Sequence, residues 1–236
     1  MIRTLLSKLI VLTAITTVPL SVVADVDDLR NTQKSNANEW RLHKNDARHK
    51  IKVYVKNEEG QKLRSFKVEG IIDAPLETLL RIQSDVENYA RWYFEIAEVK
   101  LLKKVSDKEF YFYLVHDAPI GLPKRDVILR TVIEPMSKKQ PYVQLRMTSI
   151  PDYMPPRPPF IRMEAENYVL RYTPISKTQT LREVEGFINP GGNTPSWAIN
   201  FVSGKGPYTN MMGIRRMASM PQYADSKEPL PYTFFE

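Results

Sequence analysis

The sequence contains no cysteine and only three histidines, His43, His49 and His116. Without thiols it can form no disulfide framework, no cysteine-based metal site and no cysteine nucleophile. The histidines are not spaced from one another or from carboxylates as metal ligands would be, so no metal site is expected. Cofactor and catalytic motifs are lacking too. Gly191-Gly192 is not followed by the Lys-Ser/Thr of a phosphate loop and reads as a turn. Ser149, Ser176 and Ser196 stand in no nucleophile-elbow context. We expect no cofactor and no catalytic residue. No acidic residue precedes Asp25, and no second apolar run approaches membrane-spanning length.

What the chain does have begins at its N-terminus. Arg3 and Lys8 lead into the apolar stretch Leu9 to Val18, Pro19 and Ser21 break it, and Val22-Val23-Ala24 supplies small residues. That order is the one a secretory signal peptide needs. Its apolar core, about ten residues, falls short of the roughly 20 required to span a bilayer. Residues 1–24 are therefore expected to be removed on export, to the periplasm if the host is a Gram-negative bacterium. Without disulfides, the exported domain must draw its stability from its core. The formal charge of +7 includes Arg3 and Lys8, and the rest is spread along the chain. Such a mild, dispersed excess does not indicate nucleic-acid binding. It suits transient contact with an anionic membrane surface, and equally an ordinary basic surface.

Residues 25–39 are polar and read as a tether or a short first helix. Ile51, Val53 and Val55 then alternate with lysines and Tyr54, which is the period of a strand. Glu58-Glu59-Gly60 turns the chain, and Phe66 and Val68 return it as a hairpin. Asp73-Ala74-Pro75 is a helix start with Asp73 as the candidate cap, followed by apolar residues at helical spacing to Val86. A second short helix is expected over Asn88 to Phe94. Six strands follow, over 110–115, 127–133, 142–147, 160–163, 168–172 and 181–187, joined by short links rich in Pro and Gly. Short links between successive strands make an antiparallel meander. A long helix closes the chain, with Thr194 as candidate cap and Trp197, Phe201, Tyr208 and Met212 on one stripe across Gly204-Lys205-Gly206-Pro207. The stripe must lie on the concave face of the sheet. The fold class expected is α+β: a curved antiparallel sheet wrapped around a long C-terminal helix, in one domain over 40–220 with a tail over 221–236.

Four segments carry a family resemblance. Trp40 to Ile72 holds a tryptophan, then IKVYVK, a turn and FKVEG. His116 to Arg130 reads HDAPIGLPKRDVILR, with an Arg-Asp pair at Arg125 and Asp126. Pro158 to Pro174 reads PPFIRMEAENYVLRYTP, and Asn189 to Phe201 reads NPGGNTPSWAINF. In this order and spacing they resemble the START (StAR-related lipid transfer) family of the helix-grip superfamily. The sequence departs from the family at Glu185-Gly186, where an aspartate is common, and at Asn167, where glycine is usual. The resemblance implies a non-covalent carrier that holds a lipid, or another hydrophobic small molecule, in a tunnel under the C-terminal helix.

The candidate ligand-binding residues are Tyr113, Arg125, Met147, Arg162, Tyr168, Trp197, Phe201, Met211 and Met212. Aromatic rings and flexible thioethers suit an irregular apolar ligand, and they suit a plain core equally well. Arg125 and Arg162 lie in apolar strand contexts, where a guanidinium needs a carboxylate or a ligand head group. Asp126, Glu164 and Glu166 are the carboxylates at hand. The gate is expected at the loop Pro119 to Pro123 or in the last helix, hinged near Gly191-Gly192 and Gly204 to Pro207. Two rival readings remain. One is a polyketide cyclase- or aromatase-like enzyme using Arg125, Tyr113 and His116 as acid/base groups. The other is a protein-interaction module that takes a partner helix or peptide in the same groove.

Overall fold

The computed structural model describes residues 38–59, 64–119 and 121–235. The expected signal peptide and nearly all of the polar segment 25–39 lie outside the described residues.

Alternation builds the first hairpin. In β2 (Ile51–Asn57), Ile51, Val53 and Val55 are buried while Lys52 is exposed. β3 (Arg64–Ile72) buries Phe66, Val68 and Ile72 on the same face. β2 pairs antiparallel with β3, with Val53 opposite Val68. Ahead of them stands β1 (Arg41–Asp46). It is an edge strand, exposed along four of its six residues, so no apolar alternation marks it.

The helix α1 (Leu76–Ser84) buries Leu76, Leu79, Leu80 and Ile82. Its start differs from expectation. Pro75 occupies the cap position and no side chain caps the helix. The Asp73 carboxylate instead accepts a hydrogen bond from Gln179 Nε2 at 2.7 Å. A short 3-10 helix over Val86–Arg91 follows. Next comes β4 (Ile96–Ser106), which is another edge strand, lysine-rich and irregular in register.

β5 (Glu109–His116), β6 (Arg125–Glu134), β7 (Val143–Ser149), β9 (Ala165–Ser176) and β10 (Gln179–Asn189) form the expected meander. The two-residue β8 (Ile161–Arg162) departs from it by pairing parallel with β6. The sheet runs β1-β2-β3-β10-β9-β7-β6-β5-β4. β10 returns to pair with β3, which joins the hairpin to the meander.

The helix α2 (Ser196–Ala218) lies on β2, β3 and β10 and contains Pro207. No side chain caps its start; the Thr194 hydroxyl donates to the Gly191 carbonyl at 2.8 Å instead. Its buried face is not the aromatic stripe. Ala198, Ile199, Gly206, Pro207, Met211, Ile214 and Met217 are buried, while Trp197 and Phe201 are 52% and 39% exposed. Small residues explain the phase. A Cβ on Gly213 would lie 2.4 Å from the Trp92 carbonyl oxygen, and one on Gly204 would lie 2.6 Å from His43 Nε2. Glycine at these points lets the helix seat closer than side chains would allow. Residues past 220 stay packed: α3 (Pro221–Ala224) buries Tyr223, Tyr232 is buried farther on, and Met136 N donates to the Phe234 carbonyl at 3.0 Å.

Candidate functional site

Alternate residues of a strand point to opposite faces, and this sorts the candidates. On β5, Phe110, Phe112 and Leu114 join the main core, whereas Tyr113 and Val115 form a second cluster with Ile128 on the convex side. His116 has the parity of the core residues. Tyr113 and His116 therefore stand on opposite faces, and the acid/base group of Tyr113, Arg125 and His116 is not assembled. The Tyr113 hydroxyl donates to Asp126 Oδ2 at 3.0 Å.

Arg125 and Asp126 are adjacent in β6 and diverge in the same way. Asp126 is fully buried and pairs with Arg162, whose Nε and Nη2 each donate at 3.0 Å. Arg162 also donates to the carbonyls of Pro151, Met154 and Pro155, which fastens the 150–160 segment to the convex face. Arg162 thus has the carboxylate partner that its context demanded. Arg125 has none. Its Nη1 donates to the Pro123 carbonyl and its Nη2 to Thr194 Oγ1 at 2.9 Å, while its buried Nε has no acceptor. Burial pulls its guanidinium below the ordinary arginine value.

Under α2 lie two small apolar chambers. The inner one, about 40 Å³, is lined by Phe66, Trp92, Met147, Tyr168, Arg182 and Val184, among others. The outer one, about 60 Å³, is lined by His116, Leu122, Arg125, Met163, Ala198 and Ile199 among others. Phe94, Ile188 and Val202 wall both, so these three side chains stand between the chambers. Neither chamber is a tunnel of lipid size, since ligand sites usually measure roughly 300–1,000 Å³.

A polar cluster stands where the chambers meet. Glu166, fully buried on β9, accepts from the Tyr93 hydroxyl at 2.8 Å and the Tyr168 hydroxyl at 2.6 Å. Its second oxygen lies 3.0 Å from His116 Nε2. Burial opposes charge on both groups, but the opposite charges and these hydrogen bonds outweigh it. The His116 pKa is raised and the Glu166 pKa lowered, so the two form an ion pair.

Of the candidates, Met147 and Tyr168 line the inner chamber and Arg125 the outer. Tyr113 and Arg162 face the convex side. Met211 is fully buried in the core, close to Gly70. Met212 lines a surface groove between α2 and residues 90–95. Trp197 and Phe201 line neither chamber. Residues 119 and 122 of the expected gate border the outer chamber. The reading missed Glu166 and Arg182 as interior polar groups. Both share strand parity with buried apolar neighbours, Glu166 with Leu170 and Arg182 with Val184, and that signal is in the sequence.

The match to known proteins is broad. The START domain family model matches residues 23–224. The crystal structure of a STAR-related lipid transfer protein from Xanthomonas axonopodis is similar at 27% identity and a TM-score of 0.70, covering 77% of this chain and 99% of that one. An uncharacterized protein of Pseudomonas aeruginosa is 27% identical over 184 residues, 77% of this chain and 88% of its own. Human STARD10 shares the fold at 21% identity and a TM-score of 0.65, covering 90% of this chain and 84% of that one. A Streptomyces aromatase/cyclase shares it more distantly, at 13% identity and a TM-score of 0.52 over 70% of this chain and 98% of that one. With the family model spanning most of its length and the helix-grip architecture in place, the chain belongs to the START domain family.

Proposed function

We propose that this protein binds a lipid or similar hydrophobic small molecule, without chemistry, in the space under α2. The observation that carries the reading is the pair of adjacent apolar chambers walled in common by Phe94, Ile188 and Val202. Moving those three side chains joins the chambers, and lifting the N-terminal half of α2 enlarges the joint space. Gly204, Gly206 and Pro207 weaken the helix at the point where such a lift would hinge, since glycine and proline are its poorest formers. Apolar area withdrawn from water, at roughly 25 cal/mol per Å², supplies the affinity. The lipid transfer activity named for the Xanthomonas relative supports the same reading.

The outer surface of α2 supports exchange of the ligand with a membrane. Trp197 and Phe201 stand exposed one turn apart, with Lys205 Nζ 5.0 Å from the Phe201 ring centroid. Exposed aromatics beside a cation suit brief contact with an anionic interface. If residues 1–24 direct export, that membrane lies outside the cytoplasm.

Extraction of the purified protein with organic solvent, followed by mass spectrometry, tests the reading. Co-purified lipid near one equivalent supports it. A lipid-free extract, from protein that also takes up nothing from mixed liposomes, overturns it.

A further inference from the structure

Arg182 sits in the interior part of β10 and is 3% exposed. Its Nε donates to the Tyr172 hydroxyl at 3.0 Å. Tyr172 donates in turn to Gln83 Oε1 at 2.7 Å, and Gln83 Nε2 donates to the Tyr89 hydroxyl at 2.9 Å. This chain of hydrogen bonds fixes the guanidinium but brings it no negative charge. Among the described residues, Glu166 is taken by His116 and Asp126 by Arg162, and no carboxylate pairs with Arg182. Its Nη1 is buried with no acceptor among the described residues.

A buried guanidinium without a counter-charge is among the costlier placements in a protein interior. A second buried donor shares the predicament: Trp92 Nε1 also lacks an acceptor and also belongs to the inner chamber. The remaining walls, Phe66, Val68, Leu170 and Val184 among them, are apolar. An unpaired cation and unpaired donors in a greasy chamber are complementary to a small anion carrying an apolar tail.

We infer that Arg182 receives the carboxylate of a single-chain acidic amphiphile, a long-chain fatty acid, whose acyl chain runs along β10 toward the outer chamber. This rests on the lipid-binding reading above and narrows it. A planar carboxylate offers two oxygens to a guanidinium fork. It also fits the cramped inner end better than a phosphodiester carrying two substituents. From Arg182 the inward residues proceed through Val184 to Ile188, which walls both chambers. At about 3.4 Å per residue that path is roughly 20 Å, the scale of one extended acyl chain.

The test compares palmitic acid with methyl palmitate, which share a chain and differ in charge. Binding is measured by equilibrium dialysis on delipidated mature protein. The wild type is expected to bind palmitic acid about tenfold or more tightly than its ester, the scale of a charge-assisted hydrogen bond. Arg182→Met is expected to abolish that preference, so that acid and ester bind alike; a variant that keeps the tenfold preference overturns the inference. Equal binding of acid and ester by the wild type overturns this inference and leaves lipid binding standing. Binding of neither, nor of any lipid from mixed liposomes, removes the lipid reading itself. Should Arg182→Met fail to fold, carboxyl-¹³C palmitate bound to the wild type decides the matter. A carboxyl carbon still ionised below the ordinary carboxylate range supports the pairing; one protonated at neutral pH overturns it.

Discussion

Arg162 and Asp126 form a two-pronged ion pair, 3.0 Å on each prong, on the face of β6 opposite to Arg125. Removing one member of a buried pair strands the other's charge, typically at a cost of about 3–5 kcal/mol. Arg162→Met is therefore expected to destabilise the domain by about that amount and to release the 150–160 segment. The double change Arg162→Met/Asp126→Leu is expected to recover only the part of the loss that comes from the stranded carboxylate, since the carbonyls of residues 151, 154 and 155 and the Tyr113 hydroxyl stay without their partners. Denaturant unfolding checks both. A single variant that costs under about 1 kcal/mol would contradict the pairing.

The His116–Glu166 pair makes stability depend on pH. The raised imidazole pKa gives a contribution that is complete below its ordinary value of 6.5 and fades as pH rises through the folded value. The depressed carboxyl pKa gives one that is complete above 4.5 and fades as pH falls. Both are whole between 4.5 and 6.5. Thermal melting should therefore show Tm falling on the alkaline side of this window in the wild type, with a flatter profile in His116→Gln. Identical alkaline slopes in the two proteins would show that the pair does not form.

Most of the fold was legible because buried strands write alternation into sequence. Ile51, Val53 and Val55 did so for β2. The edge strands β1 and β4 did not, because neither has a consistently buried face. In the site, strand parity held more than was drawn from it. Arg125 and Asp126, being consecutive in a strand, could not pair with each other, and the parity of Arg182 and Glu166 turned both inward. The exposed setting of Trp197 and Phe201 was hidden for another reason. Helix phase here follows the glycines that seat α2 against Trp92 and His43, and glycine adds nothing to an apolar stripe.

Gly213 provides a test of that seating. In an isolated helix, Gly→Ala stabilises by about 1 kcal/mol. Here the added methyl would meet the Trp92 carbonyl oxygen at 2.4 Å, which is backbone and cannot rotate away. Gly213→Ala is expected to lower stability by about 1–3 kcal/mol, the cost of overpacking. A stabilised variant in calorimetry would mean that α2 does not sit this close to residue 92.

The central claim is that lipid enters the space beside Trp92, and Trp92 itself can report it. In Trp40→Phe/Trp197→Phe the only remaining tryptophan is the one lining the inner chamber. Titration with a fatty acid brominated along its chain should quench that fluorescence saturably, at one ligand per protein. Fluorescence unchanged at ligand concentrations that saturate binding would put the lipid elsewhere and contradict the account.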